Sequence, residues 1–345
     1  MAPFPVLVHP FESETPRTTA YESGNPKAKN AFVVIGGLGD GPHTILAARS
    51  LSKALEDAPD LDYSLFEVRM HSSFDCFGNS SLRKDVSDIT NLVRYLRQIG
   101  REKIVLLGHS TGCQDLMLYN KLSGVADPVE GFILQGPVSD RECIRHVCVQ
   151  PEEKSVYEEA LKYARKMATA GRLQDWMPRN YVPETLRSTP FTVYRFLSLA
   201  DIDGDDDFFS SDLSSRFAAE IWNSLTKPTL VLPSAEDEFV PKYVNKLALL
   251  KEWMDLSPLI SPLSDVIPGA DHAVENPEAQ KWYSKSSWRG CGSHIPNALA
   301  GIPEKDWCQC EPRVMIGSKS YPSAARMQLP GMSFFKSLFG NSTSK

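Results

Sequence analysis

The sequence predicts an α/β protein built on a mainly parallel, doubly wound sheet with a helical cap inserted into it. Short apolar runs rich in β-branched residues predict buried strands at residues 31–37, 63–70, 103–107 and 131–134. Between these runs, apolar residues recur at helical spacing from about 43 to 55 and from about 82 to 99. This alternation favours parallel strands joined by right-handed crossovers.

The alternation is interrupted at residues 139–223, which show helix and loop patterns but no clear strand. Strand patterns resume at 229–233 and near 265–267. An insertion here would cover the carboxyl edge of the sheet, where open α/β sheets bind ligands. We therefore expect four segments: a core in two parts at 1–138 and 224–289, a cap at 139–223, and a loop-like appendage rich in Cys, Gly, Pro and Ser at 290–345.

Composition excludes several classes of protein. Of 345 residues, 42% are hydrophobic and 23% are charged, which is typical of a soluble enzyme, and the net charge of -6 argues against nucleic-acid binding. The sequence shows no secretory leader and no apolar run that could cross a bilayer, and its 7 Cys are an odd number in a long chain. We expect a cytoplasmic protein with free thiols and no cofactor. The composition leaves the oligomeric state open.

The pentapeptide GHSTG at residues 108–112 directly follows the strand predicted at 103–107. A G-x-S-x-G pattern in this position is typical of a strand-to-helix turn so tight that the serine hydroxyl projects above the sheet. Because the pattern alone arises by chance in roughly one chain in ten of this length, its place between strand and helix carries the prediction. We assign Ser110 as nucleophile and Gly108, His109 and Gly112 as the elbow that presents it.

A glycine-rich loop, GGLGD at residues 36–40, follows the first buried strand. Loops in this position donate one backbone N–H to an oxyanion, and the residue after the nucleophile donates the other. We assign these donors to Leu38 and Thr111. The alternative interpretation is a glycine turn that only ends the strand.

The segment SAEDEFVP at residues 234–241 follows the strand at 229–233 and offers three acidic residues. Asp237 is favoured as the acid of a catalytic triad. Its neighbours Glu236 and Glu238 are rivals, but side chains alternate along an extended segment, so Glu236 should point away from Asp237.

Of 7 histidines, only His272 lies in a loop of small residues after the last strand and downstream of the acid. The order Ser110, Asp237, His272 is the order of triad residues in α/β-hydrolases. His109 should face away from the nucleophile, and His294 comes too late in the chain. The triad implies acyl transfer, with His272 as general base and water completing hydrolysis of an acyl-enzyme.

Two weaker groups of residues remain. The run DIDGDDD at 201–207 begins like a calcium loop, but Asp206 and Asp212 stand where such a loop needs Gly and Glu. A solvated loop is favoured, and Asp205, Asp206 and Asp207 could contact a cationic group of a substrate. The appendage contains a Cys₃His set that could hold zinc, although free thiols are the simpler interpretation. Its members are Cys291, His294, Cys308 and Cys310.

With these segments in view, the chain resembles a fungal family of α/β-hydrolases once catalogued only as a domain of unknown function. The matching stretches are GGLGDG, GHSTG, DDDFFSSDLS, SAEDEFVP and PGADH, within roughly residues 5–290. The acidic-aromatic stretch DDDFFSSDLS is the most specific, since generic hydrolases lack it.

The family includes intracellular siderophore esterases. The resemblance therefore implies hydrolysis of ester bonds in fusarinine-type siderophores, in which acylated N-hydroxyornithine units are joined by esters, and release of iron after uptake. Three alternatives stay open: a general carboxylesterase or thioesterase with the same triad, a ligand-binding protein that retains the fold without catalysis, and an interaction protein that uses the appendage.

Overall fold

The computed structural model describes residues 3–284 and two further strands at 313–316 and 319–322. A seven-stranded sheet with the order β1-β2-β4-β3-β5-β6-β7 lies at its centre. Strands β4, β3, β5, β6 and β7 are mutually parallel. At the β4 edge, β2 pairs antiparallel with β4, and β1 pairs antiparallel with β2. The strands are β1 Leu7–Pro10, β2 Thr19–Gly24, β3 Asn30–Ile35, β4 Tyr63–Arg69, β5 Lys103–His109, β6 Gly131–Gln135 and β7 Thr229–Leu232.

Helices cover both faces of this sheet, as a doubly wound fold requires. The helices are α1 Leu46–Glu56, α2 Leu82–Gln98, α3 Gly112–Leu122, α4 Asp140–Cys143, α5 Lys154–Thr169, α6 Val193–Ala200, α7 Ser215–Trp222, α8 Lys246–Leu256 and α9 Pro277–Ser284. In β5, Ile104 and Leu106 face one apolar cluster with α2, α3 and α8, whereas Val105 and Leu107 face a second cluster with α1 and α9. The predicted fold class is confirmed.

The predicted insertion has an apolar cluster of its own, separate from the two clusters on the sheet. Its centre is formed by side chains of α5 and α6, among them Tyr157, Leu161 and Phe196. We call the segment from 139 to 200 the cap. The last helix of the predicted insertion differs, because Ile221 and Trp222 of α7 belong to the cluster on the sheet. The predicted boundary at 223 is therefore too late.

Other differences from the predictions are local. Strand β2 lies before the first predicted strand at 31–37, in a stretch for which the sequence pattern predicts no strand. The strand predicted near 265–267 is reduced to a single bridge between Ile267 and Ser234. Within the appendage, the described strands β8 Arg313–Ile316 and β9 Lys319–Pro322 pair as a hairpin. No helix in the described part of the chain is long and apolar enough to cross a membrane.

Candidate active site

Ser110 lies in the turn between β5 and α3 with a left-handed backbone, at a φ of 54°. For a residue with a side chain, this conformation costs about 1–2 kcal/mol. The N–H of Ser110 donates to the carbonyl oxygen of Gln135 at 3.1 Å, and its own carbonyl accepts from the N–H of Cys113 at 2.8 Å. The tight turn expected at this serine is therefore present, and surrounding backbone bonds maintain it. Backbone strain of this kind concentrates at functional sites.

Close backbone contacts explain both glycines of the pentapeptide. A Cβ atom on Gly108 would lie 2.4 Å from the carbonyl oxygen of Gly112, and one on Gly112 would lie 2.4 Å from the carbonyl oxygen of Ile35. Since the atoms in the way belong to the backbone, no larger residue fits at either position. The two glycines let α3 begin directly against the end of β3, and this leaves Ser110 at the carboxyl edge of the sheet.

His272 and Asp237 form a hydrogen-bonded pair at the same edge. The Nδ1–H of His272 donates to Oδ2 of Asp237 at 2.8 Å, and both side chains are buried. The N–H of Phe239 donates to the other carboxylate oxygen of Asp237 at 3.0 Å. Because Nδ1 is engaged in this way, Nε2 is the ring nitrogen that is available to accept a proton from a hydroxyl group.

The two acidic residues next to Asp237, Glu236 and Glu238, do not contact this ring in the same way. Glu236 is exposed to solvent, in line with the alternation of side chains along this segment. The carboxylate of Glu238 accepts a hydrogen bond from the backbone N–H of His272 at 2.9 Å. Of the three acidic side chains, only that of Asp237 contacts the imidazole.

His109 contacts the imidazole of His272, which the sequence did not indicate. The two ring centroids are 4.9 Å apart, with the rings inclined by 47°. The Nδ1–H of His109 donates to Oε1 of Gln135 at 2.5 Å, and Nε2 of Gln135 donates to the carbonyl oxygen of His272 at 3.1 Å. Gln135 thus links the two histidines. The only sequence signal was a polar residue at the end of the apolar strand β6.

Burial and the neighbouring His272 lower the pKa of His109 to about 4. His109 is therefore neutral at neutral pH. When His272 accepts a proton, no second positive charge opposes it from this side.

The loop after β3 lies directly against Ser110, since a Cβ atom on Gly37 would be 2.5 Å from the Cβ of Ser110. Asp40 braces this loop from within. Its Oδ2 accepts from the N–H of Gly37 at 2.9 Å, and its Oδ1 accepts from the hydroxyl of Thr44 at 2.7 Å. The predicted glycine turn therefore contacts the serine as well as ending the strand.

The two expected oxyanion donors flank this contact. Leu38 belongs to the braced loop, and Thr111 is the residue immediately before α3. Within residues 3–284, no acceptor takes a hydrogen bond from the backbone N–H of either residue. Their role as oxyanion donors therefore stays a prediction that these unpaired N–H groups permit.

The acidic loop differs from its predicted role. Arg195 binds both carboxylate oxygens of Asp206, at 2.9 and 2.7 Å, and the Nε–H of Arg141 donates to Asp207 at 2.8 Å. Asp206 and Asp207 are buried in these ion pairs, so neither is available to a substrate, and the prediction is corrected for both. Asp205 is exposed, where it accepts a hydrogen bond from the hydroxyl of Tyr194 at 2.5 Å.

Arg195 lies in a larger cluster of buried charge between the cap and the core. Its guanidinium is within electrostatic range of three further buried carboxyl groups. They are those of Asp85 on α2, Asp115 on α3 and Asp140 on α4. We call Arg195 together with these three aspartates and Asp206 the arginine cluster. Sequence reasoning missed it, because its members come from distant segments with no shared motif.

Burial raises the pKa of Asp85 to about 7 and that of Asp140 to about 8. The pKa of Asp115 is also raised well above its ordinary value, by burial first and then by the charge of Asp85. The cluster adjoins the serine turn, because Gln114 donates to Asp140 at 2.7 Å from the first turn of α3. The predicted zinc ligands Cys291, His294, Cys308 and Cys310 lie outside the described residues.

Comparison with known proteins gives the family. Residues 1–287 match the family described as "Protein of unknown function (DUF1749)". The chain belongs to this family. Residues 281–320, which include part of the predicted appendage, also match a model described as "Domain of unknown function (DUF8730)".

Two relatives with related sequences are fungal. The chain is 33% identical to the UPF0613 protein PB24D3.06c of Schizosaccharomyces pombe over 74% of this chain and 84% of the relative. It is 29% identical to the fusarinine C esterase sidJ of Aspergillus fumigatus over 79% of this chain and 90% of that protein. The expected family resemblance is confirmed.

Among solved structures, the siderophore hydrolase EstB from Aspergillus fumigatus superposes with a TM-score of 0.68 at 28% identity. The match covers 81% of this chain and 95% of that one. This likeness confirms the α/β-hydrolase fold. The chain is accordingly a hydrolase of carboxylic esters, as the sequence predicted.

Proposed function

We propose that this family member is a serine esterase that hydrolyses ester bonds of fusarinine-type hydroxamate siderophores. The observation that carries the mechanism is the 2.8 Å bond from His272 to Asp237 at the sheet edge that also presents the strained Ser110. The names of the two Aspergillus fumigatus relatives support the substrate class.

In this mechanism, His272 takes the proton of the Ser110 hydroxyl through Nε2 while the oxygen attacks the ester carbonyl. Asp237 stabilises the imidazolium and keeps Nδ1 protonated. The N–H groups of Leu38 and Thr111 bind the oxyanion. His272 then protonates the leaving alcohol, and a water molecule, activated by the same imidazole, releases the acid from the acyl-enzyme.

Of the three aspartates at 205–207, Asp205 is the one that is exposed. We propose that it meets the free amines of the ornithine units from the loop that follows the cap. Replacing Asp205 with Lys should raise KM for amine-bearing esters and leave KM for neutral esters unchanged. Equal KM values for wild type and variant on the amine-bearing ester would remove this contact from the proposal.

Complete ester cleavage would divide a cyclic or linear chelator into smaller units, each with fewer hydroxamates. Because chelation depends on several hydroxamates held in one molecule, cleavage would weaken iron binding. We therefore propose iron release in the fungal cytoplasm as the biological role. Cell fractionation of a tagged chain tests the location.

The central experiment follows ferric and iron-free fusarinine-type esters by mass spectrometry with wild type and Ser110→Ala. Loss of the nucleophile of a triad lowers kcat by about 10⁶-fold, so product formation should fall to background. Ser215→Ala is a matched control, because Ser215 is an exposed serine at the start of α7 that has no place in the proposed mechanism, and it should cleave at the wild-type rate.

Other outcomes separate the alternatives. If wild type left both siderophores intact but cleaved a p-nitrophenyl ester through Ser110, the triad would stand and the substrate class would be wrong. If a fluorophosphonate probe failed to label Ser110 in the folded chain, the protein would be a ligand-binding member of the fold.

A further inference from the structure

Two cysteines lie side by side where the chain leaves the sheet for the cap. The Sγ atoms of Cys143 and Cys148 are 3.8 Å apart. Cys143 is buried at the end of α4, and Cys148 is half-buried at the end of the following helical turn. Neither thiol takes part in the hydrolysis proposed above.

The helical turn explains why the two thiols meet. Residues Ile144–Cys148 form a π-helix, and the N–H of Val149 donates to the carbonyl oxygen of Ile144, five residues earlier, at 2.9 Å. In an α-helix, residues five apart are rotated by about 140° and point away from each other. A π-helical turn is wound more loosely, with hydrogen bonds from i to i+5, so residues five apart are rotated by much less and positions 143 and 148 lie closer to one face.

We propose that Cys143 and Cys148 form a reversible disulfide in the cap. A disulfide has an S–S length of about 2.05 Å, so the sulfur atoms need to approach by only about 1.8 Å. Small rotations of the two side chains supply this movement. The π-helical turn has already brought the two side chains to the same face.

The surroundings assign different roles to the two thiols. The hydrogen bond from Cys143 lowers the pKa of Cys148 to about 7. The same bond, together with burial, raises the pKa of Cys143. Cys148 is the more accessible of the two thiols and loses its proton more readily, so it attacks first. Cys143 keeps its proton until the second step.

With glutathione disulfide as the oxidant, both steps balance. The Cys148 thiolate attacks one glutathione sulfur, which forms a mixed disulfide and expels one glutathione thiolate. Cys143 then loses its proton, attacks Sγ of Cys148 and expels the second glutathione. Two protein thiols are oxidised to one disulfide, glutathione disulfide is reduced to two thiols, and the released protons end on glutathione.

The other described cysteines provide internal controls. Cys76 is exposed, and no second thiol among the described residues lies within hydrogen-bond distance of it. Cys113 is buried, and its thiol lies 3.2 Å from the carbonyl oxygen of Gly108, to which it donates. Neither residue has the pairing found at Cys143 and Cys148.

The sequence makes the disulfide easy to detect. Trypsin cuts after Arg141, Arg145 and Lys154, so the two cysteines fall in separate peptides, residues 142–145 and 146–154. The full chain is equilibrated in glutathione buffers of rising oxidised fraction, blocked with N-ethylmaleimide, digested and analysed by mass spectrometry. A disulfide joins the two peptides into one species that separates again on reduction.

We expect the joined peptide to rise from background to the main form as the oxidised fraction rises. It should be unchanged in Cys76→Ser and absent in Cys148→Ser. Cys143→Ser should instead accumulate a glutathione adduct on Cys148. The proposal would be overturned if both peptides carried N-ethylmaleimide at every ratio. It would equally be overturned if Cys148 were joined to a cysteine other than Cys143.

Discussion

In the candidate triad region one buried carboxylate, Asp237, faces one imidazole, whereas in the arginine cluster four buried carboxyl groups share one guanidinium. Asp237 is hydrogen-bonded to His272 at 2.8 Å, and the adjacent His109 is neutral. In the cluster, Arg195 makes its direct ion pair with Asp206 alone. The other three carboxyl groups have no cation of their own within the cluster.

The number of cationic partners for each buried carboxyl group decides whether protons bind in a region. A carboxylate that has its own partner can stay ionised when buried, while an excess of buried carboxylates is relieved by protonation. The raised pKa values of Asp85 and Asp140 indicate that excess carboxylates in the cluster are relieved by protonation. We therefore expect changes in the triad region to affect turnover and changes in the cluster to affect stability.

The largest expected effect is that of Asp237→Asn on turnover. The amide cannot stabilise the imidazolium and favours the wrong tautomer of His272, and loss of a triad carboxylate in this way lowers kcat by about 10⁴-fold. Ester hydrolysis at saturating substrate measures this effect. Glu236→Gln removes an exposed carboxylate one residue away and should leave kcat within about twofold. A similar loss of kcat in both variants would mean that Asp237 is not the specific acid partner of His272.

Next in size is the effect of Arg195→Met on stability. The change keeps an apolar stem of similar length but leaves the buried Asp206 without its ion pair, which should lower the free energy of unfolding by about 3–5 kcal/mol. Urea unfolding measures this change.

Arg216→Met is the matched control, since Arg216 forms an exposed i,i+4 ion pair with Glu220 on α7. Exposed pairs contribute about 0–1 kcal/mol, so this variant should unfold near the wild-type midpoint. Equal losses in the two arginine variants would contradict the role of the buried cluster.

A pH-dependent effect follows from Asp85. Its pKa is about 7 in the folded protein, above the ordinary value of 3.8, so folding favours the protonated form. The resulting stability is fully present below about pH 4 and is lost as pH rises through about 7. Each unit of pKa corresponds to about 1.4 kcal/mol, so this group can lower stability by up to about 4 kcal/mol across that window.

Asp85→Asn stays neutral and should flatten this dependence. The variant should gain on wild type as pH rises from about 5 to about 8, and urea unfolding at several pH values within that range measures the gain. Asp60→Asn, at an exposed position, should follow the wild-type curve. Parallel curves for Asp85→Asn and wild type would show that Asp85 is ionised when folded.

The smallest expected effect is that of His109→Phe. The ring contact with His272 is kept, but the hydrogen bond to Gln135 is lost, and Gln135 holds the carbonyl of His272. Losing a supporting bond of this kind should lower kcat by roughly tenfold with little change in KM. His146→Phe, at an exposed position in the cap, should retain wild-type turnover. If His109→Phe had the same kcat as wild type, the role of His109 would be limited to packing.

Much of the fold could be predicted because its signals are local. The strand at 103–107 is found at Lys103–His109, and the helix from about 82 to 99 is found at Leu82–Gln98. The apolar runs succeed as predictors because strands buried on both faces need continuous apolar sequence. The cap boundary failed because α7 and the cap helices have similar amphipathic patterns, and a pattern does not say which apolar surface a helix covers.

The candidate site divides in the same way. Ser110, Asp237 and His272 could be chosen because each follows a predicted strand, and the carboxyl ends of parallel strands meet at one edge. The partner of each acid could not be chosen. Asp206 was expected at the substrate but lies against Arg195, and the two residues are brought together only by packing of the cap.

The sequence by itself determined the α/β class, the strand-to-helix turn at Ser110 and the chain order of the candidate triad. These follow from periodicity and from the small residues that a tight turn needs, which are properties of neighbouring residues. Only the tertiary structure decided that His109 lies against His272, that four aspartates share Arg195, and that Cys143 meets Cys148. Burial and pairing depend on which distant segments pack together, and for Cys143 and Cys148 on a π-helical turn. The sequence pattern encodes neither.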